Sequence, residues 1–148
     1  SSNFLLRTPE AYLTLAEAAA YSGDEDTARQ NLKTFLTTRM NGSVTVDEAG
    51  EELIALIRDE RAREFLLEGH RWFNLRRYTV CEPYPWSKVI EHGHVYIADY
   101  EVDYIDYYRL EKNDDAYTLP IPREIRNFQN TLGNNSRPAR KPFKTVTY

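Results

Sequence analysis

Between Ile54 and Trp72 one pattern limits what this chain can fold into. Ile54, Ile57, Arg61, Phe65, Glu68 and Trp72 recur at separations of 3, 4, 4, 3 and 4, a single stripe at helical period that no strand reproduces. It predicts a long helix, opened by Thr45-Val46-Asp47-Glu48 as a capping box in which hydroxyl and carboxylate satisfy each other's exposed backbone N–H groups. Gly69 should kink or break it, with Arg71 to Arg77 continuing for a further turn or two. Two members of the stripe are charged, and a charge in a core costs several kcal/mol unless it is paired and hydrogen-bonded. Arg61 and Glu68 lie ~10.5 Å apart along a helix axis, too far to pair with each other. Both are therefore expected to be buried and ion-paired to other elements, with Glu17 or another helix residue close to Arg61.

Upstream, Thr8 is placed to cap a helix with Pro9 at its first position, and Tyr12, Leu15, Ala16 and Ala19 mark its apolar face until Gly23. Asp24 can cap a second helix, whose Ala28, Leu32, Phe35, Leu36 and Arg39 keep the helical spacing until Asn41-Gly42. So short a link makes the two antiparallel neighbours. Their small residues, Ala16, Ala19, Ala20 and Ala28, permit the close approach of a tetratricopeptide-like hairpin, although no second copy follows at the repeat's period.

Beyond Tyr78 the character changes. Pro83 and Pro85 break helices, and Val95 to Leu110 is rich in β-branched and aromatic residues, so it reads as extended. Lys112-Asn113-Asp114-Asp115 signals a turn, with Ala116 to Leu119 as a strand returning along Tyr107 to Leu110. Pro122 can open a short helix through Phe128, followed by an irregular Pro/Asn-rich tail. The fold class is thus mainly α, with a small β-hairpin: residues 1–78 helical, 79–148 hairpin, loops and short helix. A chain of 148 residues can close one core, so a single domain is the expectation.

A net charge of −4 disfavours nucleic acid, which is bound by clustered Lys and Arg. Acidic residues from Asp99 to Asp115 and basic ones from Arg126 to Lys144 are read as solvated surface. Ser1 to Phe4 lacks the features of a signal peptide, and no stretch is apolar for long enough to span a membrane as a helix. Cys81, the lone cysteine, has no partner for an internal disulfide, and its neighbour Glu82 disfavours a thiolate.

Glu60, Glu64 and His70 offer acid–base chemistry on paper, but Glu–Arg alternation along a helix is ordinarily structural, and no H-E-x-x-H zinc pattern is present. His92-x-His94 lacks a third ligand. No catalytic residue, metal or cofactor is expected.

The run E-R-x-x-E-x-x-x-E-G-H-R-W-F-x-L-R-R from Glu60 to Arg77, preceded by Y-L-x-L-A-E-A and followed by L-P-I-P-x-E-I, resembles the C-terminal blocks of the SusD/RagB family of outer-membrane lipoproteins of Bacteroidetes. The resemblance runs from Arg7 to about Arg137. Asn74 stands where that family usually has Asp, the Asn130 to Asn135 tail follows the pattern loosely, and the family's N-terminal portion is absent. The resemblance implies a tetratricopeptide-like helical protein at the cell surface, lipid-anchored outside this chain and partnered with a SusC-like TonB-dependent transporter, that captures oligosaccharide for import without cleaving it. Cys81 does not match the lipidated cysteine. A protein–protein interaction module is the alternative. Sugar rings stack their C–H faces on aromatic planes, which singles out Trp86, with Tyr84 and Lys88, on the Pro-flanked loop. Trp72 and Phe73 are expected in the core, and Tyr100, Tyr104 and Tyr107 over a sheet or an interface.

Overall fold

The computed structural model of the chain describes residues 7–148; the start, Ser1 to Phe4, lies outside them. The chain divides into two compact units, one reaching Trp86 and one spanning Ser87–Tyr148.

The first unit is helical: α1 (Thr8–Tyr21), α2 (Glu25–Thr37), α3 (Gly50–Glu64) and α4 (His70–Tyr78). Asp24 caps α2 by accepting from the Thr27 N–H at 3.1 Å, and α1 packs against both α2 and α3. The core joins Leu13, Ala16 and Ala20 of α1 to Ala28, Leu32, Phe35 and Leu36 of α2 and Leu53, Ile54 and Ile57 of α3. Small alanines at the crossing let the helices come close. Leu15 is 55% exposed: Leu13, Ala16, Glu17 and Ala20 share the i, i+3, i+4, i+7 spacing, and Leu15 lies off it. Thr8 does not cap α1; Arg7 occupies that position without a side-chain bond.

The expected capping box is replaced. Glu48 bonds the Asp47 N–H, and α3 starts at Gly50, whose N–H donates across to Oε1 of Glu25 at 2.8 Å. A carboxylate from α2 thus satisfies a donor the local sequence was expected to satisfy. At its other end α3 stops at Glu64, and the left-handed Leu67 (φ 63°) and Gly69 (φ 83°) redirect the chain into α4. Left-handed backbone breaks a helix outright, so the stripe is cut after Phe65.

The second unit holds an antiparallel sheet ordered β1-β2-β3, formed by β1 (Ile90–Ala98), β2 (Glu101–Leu110) and β3 (Lys144–Thr147). Asp99 and Tyr100, both at positive φ, make the two-residue turn of the β1–β2 hairpin. The strand expected at Ala116 to Leu119 is absent. Asp114 accepts from the Ala116 N–H at 2.8 Å and winds Asp115–Tyr117 into a 3₁₀ turn, while β3, from the tail expected to be irregular, pairs with β2. The short helix α5 (Arg123–Phe128) follows Pro122 as expected.

Candidate functional site

Charges come first, because they decide which side chains are free to act. Glu17 is buried and takes both guanidinium nitrogens of Arg77, at 2.7 and 2.9 Å. That bond raises the Arg77 pKa further above its ordinary value, against the opposing effect of burial. Arg61 is buried, and the helix residues close to it are Thr14 (3.1 Å) and Glu10 (3.6 Å) of α1; Glu17, the named candidate, goes to Arg77. Arg77 claims Glu17 with a bidentate fork, the stronger geometry. Glu68 is not buried. Having left the stripe where α3 ends, it lies with its side chain 42% exposed and binds Arg7 at 2.7 Å.

The other carboxylates of the Glu60 to Arg77 segment are likewise engaged. Glu64 takes Arg39 (2.9 Å) and Arg7 (2.8 Å), with Arg39 the larger cause of its lowered pKa, and Glu60 pairs with Arg63. His70 stacks on Phe65 with ring centroids 4.6 Å apart. The segment works as a charge lattice holding α1, α2 and α3 together, with each of these acids paired to a guanidinium group. Asn74, buried, accepts from Arg77 at 3.3 Å.

The aromatic loop presents a different surface. The Trp86 backbone N–H donates to the Tyr78 carbonyl at 2.8 Å, which pins the loop to the end of α4. The indole meets the Tyr78 ring edge-on at 6.2 Å and stays 39% exposed. Tyr84, half-buried, tilts against Tyr21 at 6.2 Å. Trp86 and Tyr84 therefore meet in one groove, of about 320 Å³, walled by Pro83, Pro85 and the Glu51, Ile54, Ala55 and Arg58 face of α3. Lys88 belongs to the second unit, where it is exposed and its carbonyl accepts from the Tyr117 hydroxyl at 2.9 Å.

Arg58 was not singled out from sequence. It is 7% exposed, its guanidinium stacks over the Tyr78 ring at 4.5 Å, and its Nη2 donates to the Tyr21 hydroxyl and to the Tyr84 carbonyl (2.5 Å). Arg77 also lies over Tyr78, at 4.8 Å. Tyr78 is fully buried, and burial, with Glu17 nearby, pushes its pKa up to about 12. One signal was available: Arg58 lies one residue past Ile57 and four past Ile54, on the edge of the apolar stripe.

Phe73 is 71% exposed, contrary to the core expectation, and so are Leu66 (72%) and Leu67 (96%). In the second unit Tyr104 stacks on Tyr96 at 4.2 Å, Tyr107 tilts against Phe143, and Tyr100 projects from the hairpin turn. His94 packs edge-on against Tyr96 at 4.5 Å. Among the described residues no three metal-ligating side chains gather, and no helix is long and apolar enough to cross a membrane.

No curated protein matches the chain. A solved structure of a SusD-like protein from Bacteroides fragilis is similar to it, with 26% identity and a TM-score of 0.57 over 88% of this chain. The chain spans 25% of that protein's length. The SusD family profile matches residues 1–137, the same region that carries the charge lattice and the Trp86 loop, and the chain belongs to the SusD family.

Proposed function

We propose that this chain is part of a protein that captures oligosaccharide at the outer membrane and delivers it, uncleaved, to a TonB-dependent transporter. Family membership supports glycan binding in nutrient uptake at a general level. The observation that carries the reading to this chain is the part-exposed Trp86 indole, packed edge-on against the Tyr78 ring beside a groove, on a loop whose backbone is bonded to the Tyr78 carbonyl and flanked by prolines. A ring fixed before binding loses little freedom when a sugar face stacks on it. Lys88 joins the proposal as a donor to sugar hydroxyls, and a lipid anchor outside these residues would hold the protein at the surface.

The chemistry favours capture over catalysis. Acid–base work needs carboxylates in two protonation states, whereas Glu17, Glu60, Glu64 and Glu68 are each committed to arginine. A second reading, a tetratricopeptide-like module binding protein, draws support from the exposed Leu66, Leu67 and Phe73 around the α3–α4 connection. The two readings separate in one experiment. A glycan array probed with the chain, run beside a pull-down from outer membranes, should give sugar binding and co-purify a transporter. Retention of a protein segment with no sugar bound would favour the second reading.

A further inference from the structure

Six arginines of the helical unit, Arg7, Arg29, Arg39, Arg61, Arg63 and Arg77, each have a carboxylate within ion-pair distance. Arg58, Arg71 and Arg76 have none among the described residues, and while Arg76 is exposed, Arg58 is 7% exposed and Arg71 half-buried. Arg58 and Arg71 line one small cavity of about 170 Å³, with Ala55, Asp59 and the Trp86 ring. A buried charge without a counter-charge is expensive. The Tyr78 and Tyr21 rings and two hydrogen bonds from Nη2 offset part of that cost for Arg58. Its Nε is buried with no hydrogen-bond partner among the described residues.

The carboxylates nearby do not complete the site. Asp59 in this cavity and Glu51 in the adjoining groove are exposed, so water and salt screen them, and neither forms an ion pair with Arg58 or Arg71. Two unpaired guanidinium groups facing one cavity at the edge of an aromatic plane fit a sugar that carries its own anion. The ring lies on the indole while the anionic oxygens meet the planar donors.

We propose that the cavity lined by Arg58, Arg71 and Trp86 binds the anionic group of an acidic saccharide, a carboxylate or a sulfate ester. This rests on the saccharide reading of the Trp86 groove and names the ligand class for it. Neutral sugars would meet the same ring but leave both charges uncompensated.

The test is calorimetry on the whole chain with an oligogalacturonate, its uncharged methyl ester and a sulfated galactose oligosaccharide, at low and high salt. The expected result is that at least one anionic ligand binds about tenfold or more tighter than the ester, with the preference shrinking in high salt. Whether carboxylate or sulfate binds tighter identifies the source of the anion. Arg71→Gln should bring the acid-to-ester ratio towards one. Arg76→Gln should not, since it removes the same charge from an exposed position on α4 outside the cavity. No preference of either anionic ligand over the ester, or an unchanged preference in Arg71→Gln, overturns the inference. If the ester binds as well as both anionic ligands and Trp86→Ala abolishes all binding, the saccharide reading stands and this inference falls. If no saccharide of any charge binds, both fall.

Discussion

The helical unit closes a continuous buried core from Leu13 to Phe65, whereas the sheet unit buries only Ala116 and Tyr117. Along the β1–β2 hairpin Val95 is 45% and Ile97 68% exposed, so burial of apolar surface, the main favourable term in folding, acts mostly in the first unit. The sheet relies on its ladder and on cross-strand pairs: Tyr96 on Tyr104 at 4.2 Å, Arg109 to Glu91 at 2.6 Å, Thr145 to Asp106 at 2.6 Å. Such pairs contribute roughly 0.2–1 kcal/mol each. The two regions should therefore answer mutation very differently. Helical substitutions will cost several kcal/mol and sheet substitutions will cost little.

The largest effect is expected at Leu53. Leu53→Ala empties a fully buried position and should cost ~2–5 kcal/mol in chemical denaturation. Next is Glu17→Ala, which strands an Arg77 guanidinium whose side chain keeps 41% exposure and so part of its hydration; it should cost ~1–3 kcal/mol, and a loss under ~0.5 kcal/mol would mean water serves Arg77 equally well. Glu64→Gln is smaller, about 1 kcal/mol, because Arg7 and Arg39 are partly hydrated. Its signature is pH dependence. The folded Glu64 pKa lies below 4.5, so the wild-type contribution is present above that value and fades as pH falls through the folded pKa. Thermal midpoints of wild type and Glu64→Gln should therefore converge in acid, and a constant gap would contradict the pairing. Smallest is Val95→Ala, expected within ~0.5 kcal/mol of wild type; a loss of 2 kcal/mol or more would show that the sheet has a core contribution its exposure does not reveal.

Legibility followed the same division. The N-cap and apolar spacing of α2, the break before α4 and the helix after Pro122 were readable because each is set by residues within a few positions, although α2 ends at Thr37, before the expected Asn41-Gly42. What failed was decided by distant residues. The start of α3 depends on Glu25, twenty-five positions upstream of the Gly50 N–H it accepts from, and the partner of Glu17 depends on α4 arriving with Arg77. The β2 neighbour comes from Lys144–Thr147 because register is a pairing between strands. The stripe showed that charges would be buried but could not rank their partners. The partial exposure of Trp86 fits its place on a proline-flanked loop, while Arg58 was hidden because it sits beside the apolar positions and not among them.

If the Trp86 ring is a ligand platform and not loop packing, its indole N–H resonance responds to bound saccharide. In a saccharide titration followed by ¹H–¹⁵N spectra, with the peak assigned by its loss in Trp86→Ala, a saturable shift whose midpoint matches calorimetry is expected, with a roughly tenfold to hundredfold weaker affinity in the variant. A saccharide that binds while the Trp86 resonance stays still, with affinity intact in Trp86→Ala, would contradict it.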